Sequence, residues 1–151
     1  MAGTLDAVRR DVRGFTLIEL LVVTFVLGVL AAVAIPSFLS QTAKAADAAA
    51  KTNAKRLSGM VEECRLEAKS YKNCDKDSDL NGTPGLDWGN KAGEVRVTHA
   101  HDDGYTATAV SHQKTGNKNH VFSIVKDSDG TTRRVCDVPG GTAGGCNSST
   151  W

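Results

Sequence analysis

Residues 15–39 read FTLIELLVVTFVLGVLAAVAIPSFL, and the only charge among these 25 positions is Glu19. Residues 20–43 carry none at all. At a rise of about 1.5 Å per residue, such a helix is long enough to cross a hydrocarbon core of about 30 Å. Gly28 and Pro36 lie inside the run, and both residue types are commoner in membrane helices than in soluble ones. Arg9, Arg10 and Arg13 stand just ahead of it. A basic flank of this kind places the N-terminus on the cytoplasmic side.

Two plain readings compete for this stretch. A secretory signal has an apolar region of roughly 7–15 residues ending at a small-residue cleavage site. The run here is longer and passes without a break into an Ala-rich helical pattern. A single-pass anchor accounts for the length and the arginines but leaves Glu19 unexplained. A carboxylate in a membrane helix costs about 2.5–3.5 kcal/mol on insertion scales. An acid retained there points to a function and to a partner.

The segment Arg13-Gly14-Phe15-Thr16-Leu17-Ile18-Glu19-Leu20-Leu21-Val22-Val23 resembles the N-terminal signature of type IV prepilins and their relatives, the pseudopilins of type II secretion and DNA-uptake machines. The close resemblance covers residues 13–36, with Pro36 where many members bend the helix; the rest is similar in layout only. It implies cleavage after Gly14 by a prepilin peptidase and N-methylation of the new terminus, Phe15. It also implies that Glu19 pairs with the Phe15 ammonium of a neighbouring subunit, and that the helix between Gly28 and Pro36 loosens in the filament. Burying an ion pair needs good geometry to offset desolvation, so the expected role of that pair is register and docking. Removing residues 1–14 takes away three Arg and two Asp, which leaves fifteen basic and fifteen acidic side chains.

Beyond the apolar run, Leu39, Ala43, Ala46, Ala50, Ala54, Leu57, Met60, Val61, Cys64, Ala68 and Tyr71 recur in steps of three and four, one face of a helix. Lys44, Lys51, Lys55, Glu62, Arg65 and Lys69 lie mostly off that face. The expectation is one helix over residues 15–70; the alternative is two helices broken at Pro36, since proline removes one backbone bond.

Residues 71–93, rich in Gly, Asp, Asn and Pro, read as a loop with turns. Residues 94–100, 105–111, 120–126 and 131–138 have strand character, and Asp129-Gly130 is a hairpin signal. The expected fold is α+β: a long N-terminal helix packed on a three- to four-stranded antiparallel sheet. Tyr105, Val121, Ile124 and Val135 are the expected inward residues. The expected domains are a leader over residues 1–14, a transmembrane and assembly helix over 15–39, and an extracytoplasmic head over 40–151. A sheet on a helix is also what the family's head domain looks like.

Cys64, Cys74, Cys136 and Cys146 form no CxxC motif, and four cysteines allow three pairings. The local pairing, Cys64 with Cys74 and Cys136 with Cys146, is preferred and places the head in an oxidising compartment. A reduced Cys64 acting as a small hydrophobe is the alternative. Residues 139–145 (PGGTAGG) are expected to form a flexible exposed loop. Carboxylates alternate through Asp75, Asp77 and Asp79 as in calcium loops, but Leu80 replaces the turn glycine and Leu86 the terminal Glu, so a solvated acidic loop is expected. His99, His101, His112 and His120 read as exposed strand histidines. Asn81-Gly82-Thr83 and Asn147-Ser148-Ser149 match the glycosylation acceptor pattern.

The formal net charge of +1 argues against an obligate nucleic-acid binder. No nucleophile, metal or phosphate-loop spacing stands out, so the expectation is a non-enzyme without cofactor or metal. The resemblance implies a structural filament subunit serving motility, adhesion or DNA uptake. Its partners would be further copies of itself, the prepilin peptidase, an assembly platform with its ATPase, and the cytoplasmic membrane, which holds the subunit until it joins a cell-surface filament. Nucleic acid enters only as an indirect uptake substrate. The alternatives are a type II secretion pseudopilin, a single-pass membrane protein with an extracellular binding head, or a secreted module.

Overall fold

A computed structural model describes residues 14–151. The arginines expected to orient the apolar run and most of the leader lie outside the described residues. One helix, α1 (Leu17–Ala68), takes up 52 residues and continues through Pro36. The two-helix alternative is therefore not what forms. Ala and Leu are the commonest residues of α1, and both are strong helix formers. The chain divides after Leu39 into two units.

In the first unit, residues 14–39 are all exposed and contribute nothing to a core. The second unit holds the whole core. Its sheet has four antiparallel strands in the order β1 (Val95–Thr98), β2 (Tyr105–Thr115), β3 (Lys118–Lys126) and β4 (Thr132–Asp137). Strands β2 and β3 run longer than expected because Gly116-Asn117 closes a two-residue turn, with Thr115 opposite Lys118. Gly116 has φ 62°, the left-handed backbone that such turns require. Between β3 and β4, the Asp129-Gly130 turn forms as expected, with the Asp127 N–H donating to Thr131 O at 2.9 Å.

Ala50, Ala54, Leu57 and Val61 of α1 share the core with Val95, Val97, Tyr105, Ala107, Ala109 and Phe122 of the sheet. Alanines on both partners leave room for helix and sheet to approach closely. Tyr105 and Ile124 face inward as expected. Val121 and Val135 do not: Phe122 and Cys136 are buried instead, and Val121 and Val135 lie on the opposite face. Successive strand residues alternate faces, so a one-residue error of phase reverses a whole strand. The apolar residues occur on both faces here, and alternation alone could not choose.

The segment over residues 71–93 is ordered by short 3-10 turns at Tyr71–Asn73 and Asp77–Leu80. Leu80 and Thr83 are buried. Asp77 accepts a 2.5 Å hydrogen bond from the Thr83 hydroxyl, and Asp79 accepts from the Lys76 N–H at 3.2 Å. These carboxylates shape the loop.

Both local disulfides form, Cys64–Cys74 and Cys136–Cys146. Residues 139–145 are not the loose loop their composition suggests. Ala143–Gly145 make a 3-10 turn. Gly144 takes φ 64°, and a Cβ there would collide with the Asp47 carboxylate and the Phe122 ring. Only glycine allows that approach.

Candidate functional site

Thr16 and Glu19 start α1 as a capping box. The Thr16 N–H and hydroxyl donate to Glu19 Oε2 at 2.9 and 2.7 Å, and the Glu19 N–H donates to Thr16 Oγ1 at 3.3 Å. A helix opens with N–H groups that lack carbonyl partners, and Thr-x-x-Glu satisfies them reciprocally. The carboxylate that looked unpartnered in the sequence thus has donors from its own chain. Thr16 was missed as a site residue, although the Thr16-x-x-Glu19 spacing carries the signal.

Past this cap the surface is apolar all round. Phe15 and Leu17 are each 82% exposed, and Leu21, Phe25, Leu30 and Phe38 are exposed further along the helix. An all-round apolar helix has no stable place in water. The Thr24 hydroxyl donates to Leu21 O at 2.9 Å and so presents no unmet donor. Gly28 opens a gap in the surface, since a Cβ there would meet nothing within 4 Å. Pro36 lies inside the helix and lacks the N–H that would extend the ladder. The structure brings Phe15 near the Thr16–Glu19 cap through chain proximity; Gly28 and Pro36 lie further along the same helix.

The head adds a buried polar pair. His120 Nδ1 lies 2.9 Å from Asp47 Oδ2, and its Nε2 lies 2.8 Å from the Thr115 hydroxyl. His120 is 1% and Asp47 3% exposed. This corrects the expectation of an exposed His120; His99, His101 and His112 are exposed as expected, but only His112 lies in a strand, since β1 ends at Thr98. Asp47 falls between Ala43 and Ala50 on the very stripe that packs inward, so a charge on that stripe was the available signal.

At the far end of the head, the Tyr71 and Tyr105 rings pack at a tilt of 52°, with centroids 4.8 Å apart. Their hydroxyls donate to Glu62 at 2.8 and 3.1 Å. Burial pushes the Tyr71 hydroxyl up to about 12, with the Glu62 carboxylate adding to the effect. Burial moves Tyr105 in the same direction.

Residues 9–35 match the family described as "Prokaryotic N-terminal methylation motif". The type IV major pilin protein PilA of Myxococcus xanthus is 53% identical over 45 residues, 30% of this chain and 20% of the relative. The type IV major fimbrial protein FimA of Dichelobacter nodosus is 36% identical over 62 residues, 41% of this chain and 40% of the relative. The type II secretion system core protein G of Pseudomonas aeruginosa is 31% identical over 102 residues, 54% of this chain and 72% of the relative. The chain therefore spans a fifth to two fifths of the two fimbrial relatives and most of the secretion one. No solved structure matches.

Proposed function

The chain belongs to the type IV pilin family, and we propose that it is a structural subunit of a type IV pilus-like filament. The observation that carries this reading is the apolar run of residues 15–39, exposed on every side and carrying one charge, the capped Glu19. Lipid and the core of a helical filament are both water-free. A subunit moving from one to the other never exposes this surface to water, whose contact with apolar area costs about 25 cal/mol per Å².

In this reading a prepilin peptidase hydrolyses the Gly14–Phe15 bond on the cytoplasmic face. That frees an α-amine, which is then methylated. The Phe15 ammonium of one subunit meets Glu19 of the next and sets the docking register. Because Thr16 already satisfies Glu19, the acid can wait in the membrane without a second subunit. Gly28 and Pro36 are the positions at which α1 loosens on assembly. The platform and ATPase machinery drive extraction from the cytoplasmic membrane, and the head stays outside the cytoplasm, where both disulfides persist. The pseudopilin reading shares each of these steps and differs in filament length.

Mass spectrometry of the mature chain tests the processing step: the expected N-terminus is Phe15 carrying one added methyl. An intact Met1 on a membrane-retained chain would favour a plain anchor, and a start beyond Ser40 would favour a secreted module. Electron microscopy of sheared surface material should show filaments containing the chain. Glu19→Val should reduce its incorporation at least about tenfold, as expected when a buried charge loses its partner; incorporation equal to the parent would remove the pairing from the mechanism.

A further inference from the structure

Cations gather around Trp151. Its indole N–H donates to Val135 O at 2.9 Å and holds the ring beside β4. Phe122 meets the ring edge-on, with centroids 6.0 Å apart. The Lys51 ammonium lies 5.2 Å from the ring centroid, the Lys55 ammonium 5.5 Å and the Arg134 guanidinium 5.6 Å. Each cation is attracted to the ring face, but three like charges around one ring also repel one another. None of the ion pairs among the described residues includes Lys51, Lys55 or Arg134. Asp47, one turn before Lys51 on α1, is engaged by His120. Partial burial holds Lys51 below the usual lysine range; Asp47 opposes this and repulsion from Lys55 adds to it. The patch has an apolar floor made by the Trp151 and Phe122 rings.

The same helix carries acids on its other flank. At 3.6 residues per turn, Lys51 and Lys55 lie to one side of the stripe formed by Ala50, Ala54, Leu57 and Val61, while Glu63 and Glu67 lie to the other. Glu63 and Glu67 line a shallow cleft with Met60, Leu80 and Pro84, and no ion pair among the described residues includes either. Leu66, on the outward face between the two flanks, is 81% exposed. Opposite flanks of one helix cannot meet within a chain. They meet when a second copy lies alongside. Contacts between unlike patches propagate as rings or open helical assemblies instead of closing as a dimer.

We propose that the patch of Lys51, Lys55, Arg134 and Trp151 on one subunit docks the Glu63–Glu67 flank of a second, parallel copy, with Leu66 covering the Trp151 ring. This assignment rests on the filament reading above. The midpoints of the two charge pairs on α1 are twelve residues apart, so the copies are displaced by about 18 Å along the helix axis. The patch belongs to the head, and its contribution is separate from the Phe15–Glu19 contact.

The test uses the full chain in its own host with the native copy deleted. It reads the amount of chain in sheared filaments relative to the membrane pool. Lys55→Glu with Arg134→Glu should lower that ratio at least about tenfold, because like charges brought together disfavour docking. Glu63→Lys with Glu67→Lys should do the same. All four changes together should restore it to within about threefold of the parent, since reversed charges still pair. If either one-flank reversal assembles like the parent, or the four-fold variant stays as poor as the two-fold ones, the docking is overturned while the filament reading stands. If the parent itself never enters filaments, both fail. Should a reversal deplete the membrane pool, Lys55→Gln with Arg134→Gln decides: its filaments should disperse at lower salt than the parent's, because exposed charges are screened by salt. An unchanged dispersal point overturns the docking.

Discussion

Asp47 shows how a single residue can contradict the pattern around it. It interrupts an alanine stripe, and the interruption is tolerated because His120 and Thr115 complete a hydrogen-bonded chain around it. A buried polar group without a partner costs more than the bond itself contributes. Asp47→Ala removes the carboxylate and leaves His120 buried against a void. The expected loss is about 2 kcal/mol, within the range for leaving a buried polar group unsatisfied. Thermal unfolding of the detergent-solubilised chain checks it: a melting temperature within about 2 °C of the parent would mean that the pair contributes little. Thr16 is the complementary case, since its role could be read from four consecutive positions. Nothing beyond the Thr-x-x-Glu spacing was needed to expect that Glu19 caps α1.

Between elements, the tyrosine pair ties the end of α1 to the Tyr71–Asn73 turn and to β2. Both rings are buried and both hydroxyls donate to Glu62. An unfolded tyrosine ionises near 10.0, whereas Tyr71 in the folded head keeps its proton until about 12. Below pH 10 both states are protonated and the contribution is fully present. As pH rises from 10 to 12 the unfolded chain loses protons that the folded chain retains, so stability falls across that window. Denaturant midpoints measured from pH 9 to 12 should therefore drop in the parent. Tyr71→Phe should show a shallower drop, and an equal drop would remove Tyr71 as the cause. The strand phase belongs to this scale too. Val121 and Phe122 are both plausible inward residues by composition, and pairing with β2 chose Phe122 by placing it opposite Ala109 on the buried face.

Across the whole molecule, two units divide two kinds of work. The core residues, the Asp47–His120 pair and both disulfides all lie within Ser40–Trp151, and none requires the apolar run. A fragment of residues 40–151 should therefore fold alone as a water-soluble unit with both disulfides closed. Sedimentation should give a monomer at dilute concentration, and thermal melting should be cooperative. An aggregated or non-cooperative fragment would show that the head depends on the helix before it. The full chain, by contrast, should need detergent, because about twenty apolar residues in a row partition into a bilayer.

What the sequence by itself determined was whatever depends on near neighbours. The apolar run, its single acid, the Asp129-Gly130 turn and the sheet of short strands all follow from composition and period over a few residues. The cysteines fell into pairs ten residues apart by the same locality. The tertiary structure alone decided what depends on distant partners. Asp47 and His120 are 73 residues apart in the chain. The packing of Gly144 on Asp47 and the approach of Lys51 and Lys55 to Trp151 join segments still further separated in sequence. Periodicity reports which face of an element is apolar. It does not report which side chain from another element arrives there, and that choice is made by packing and by the need of each buried polar group for a partner.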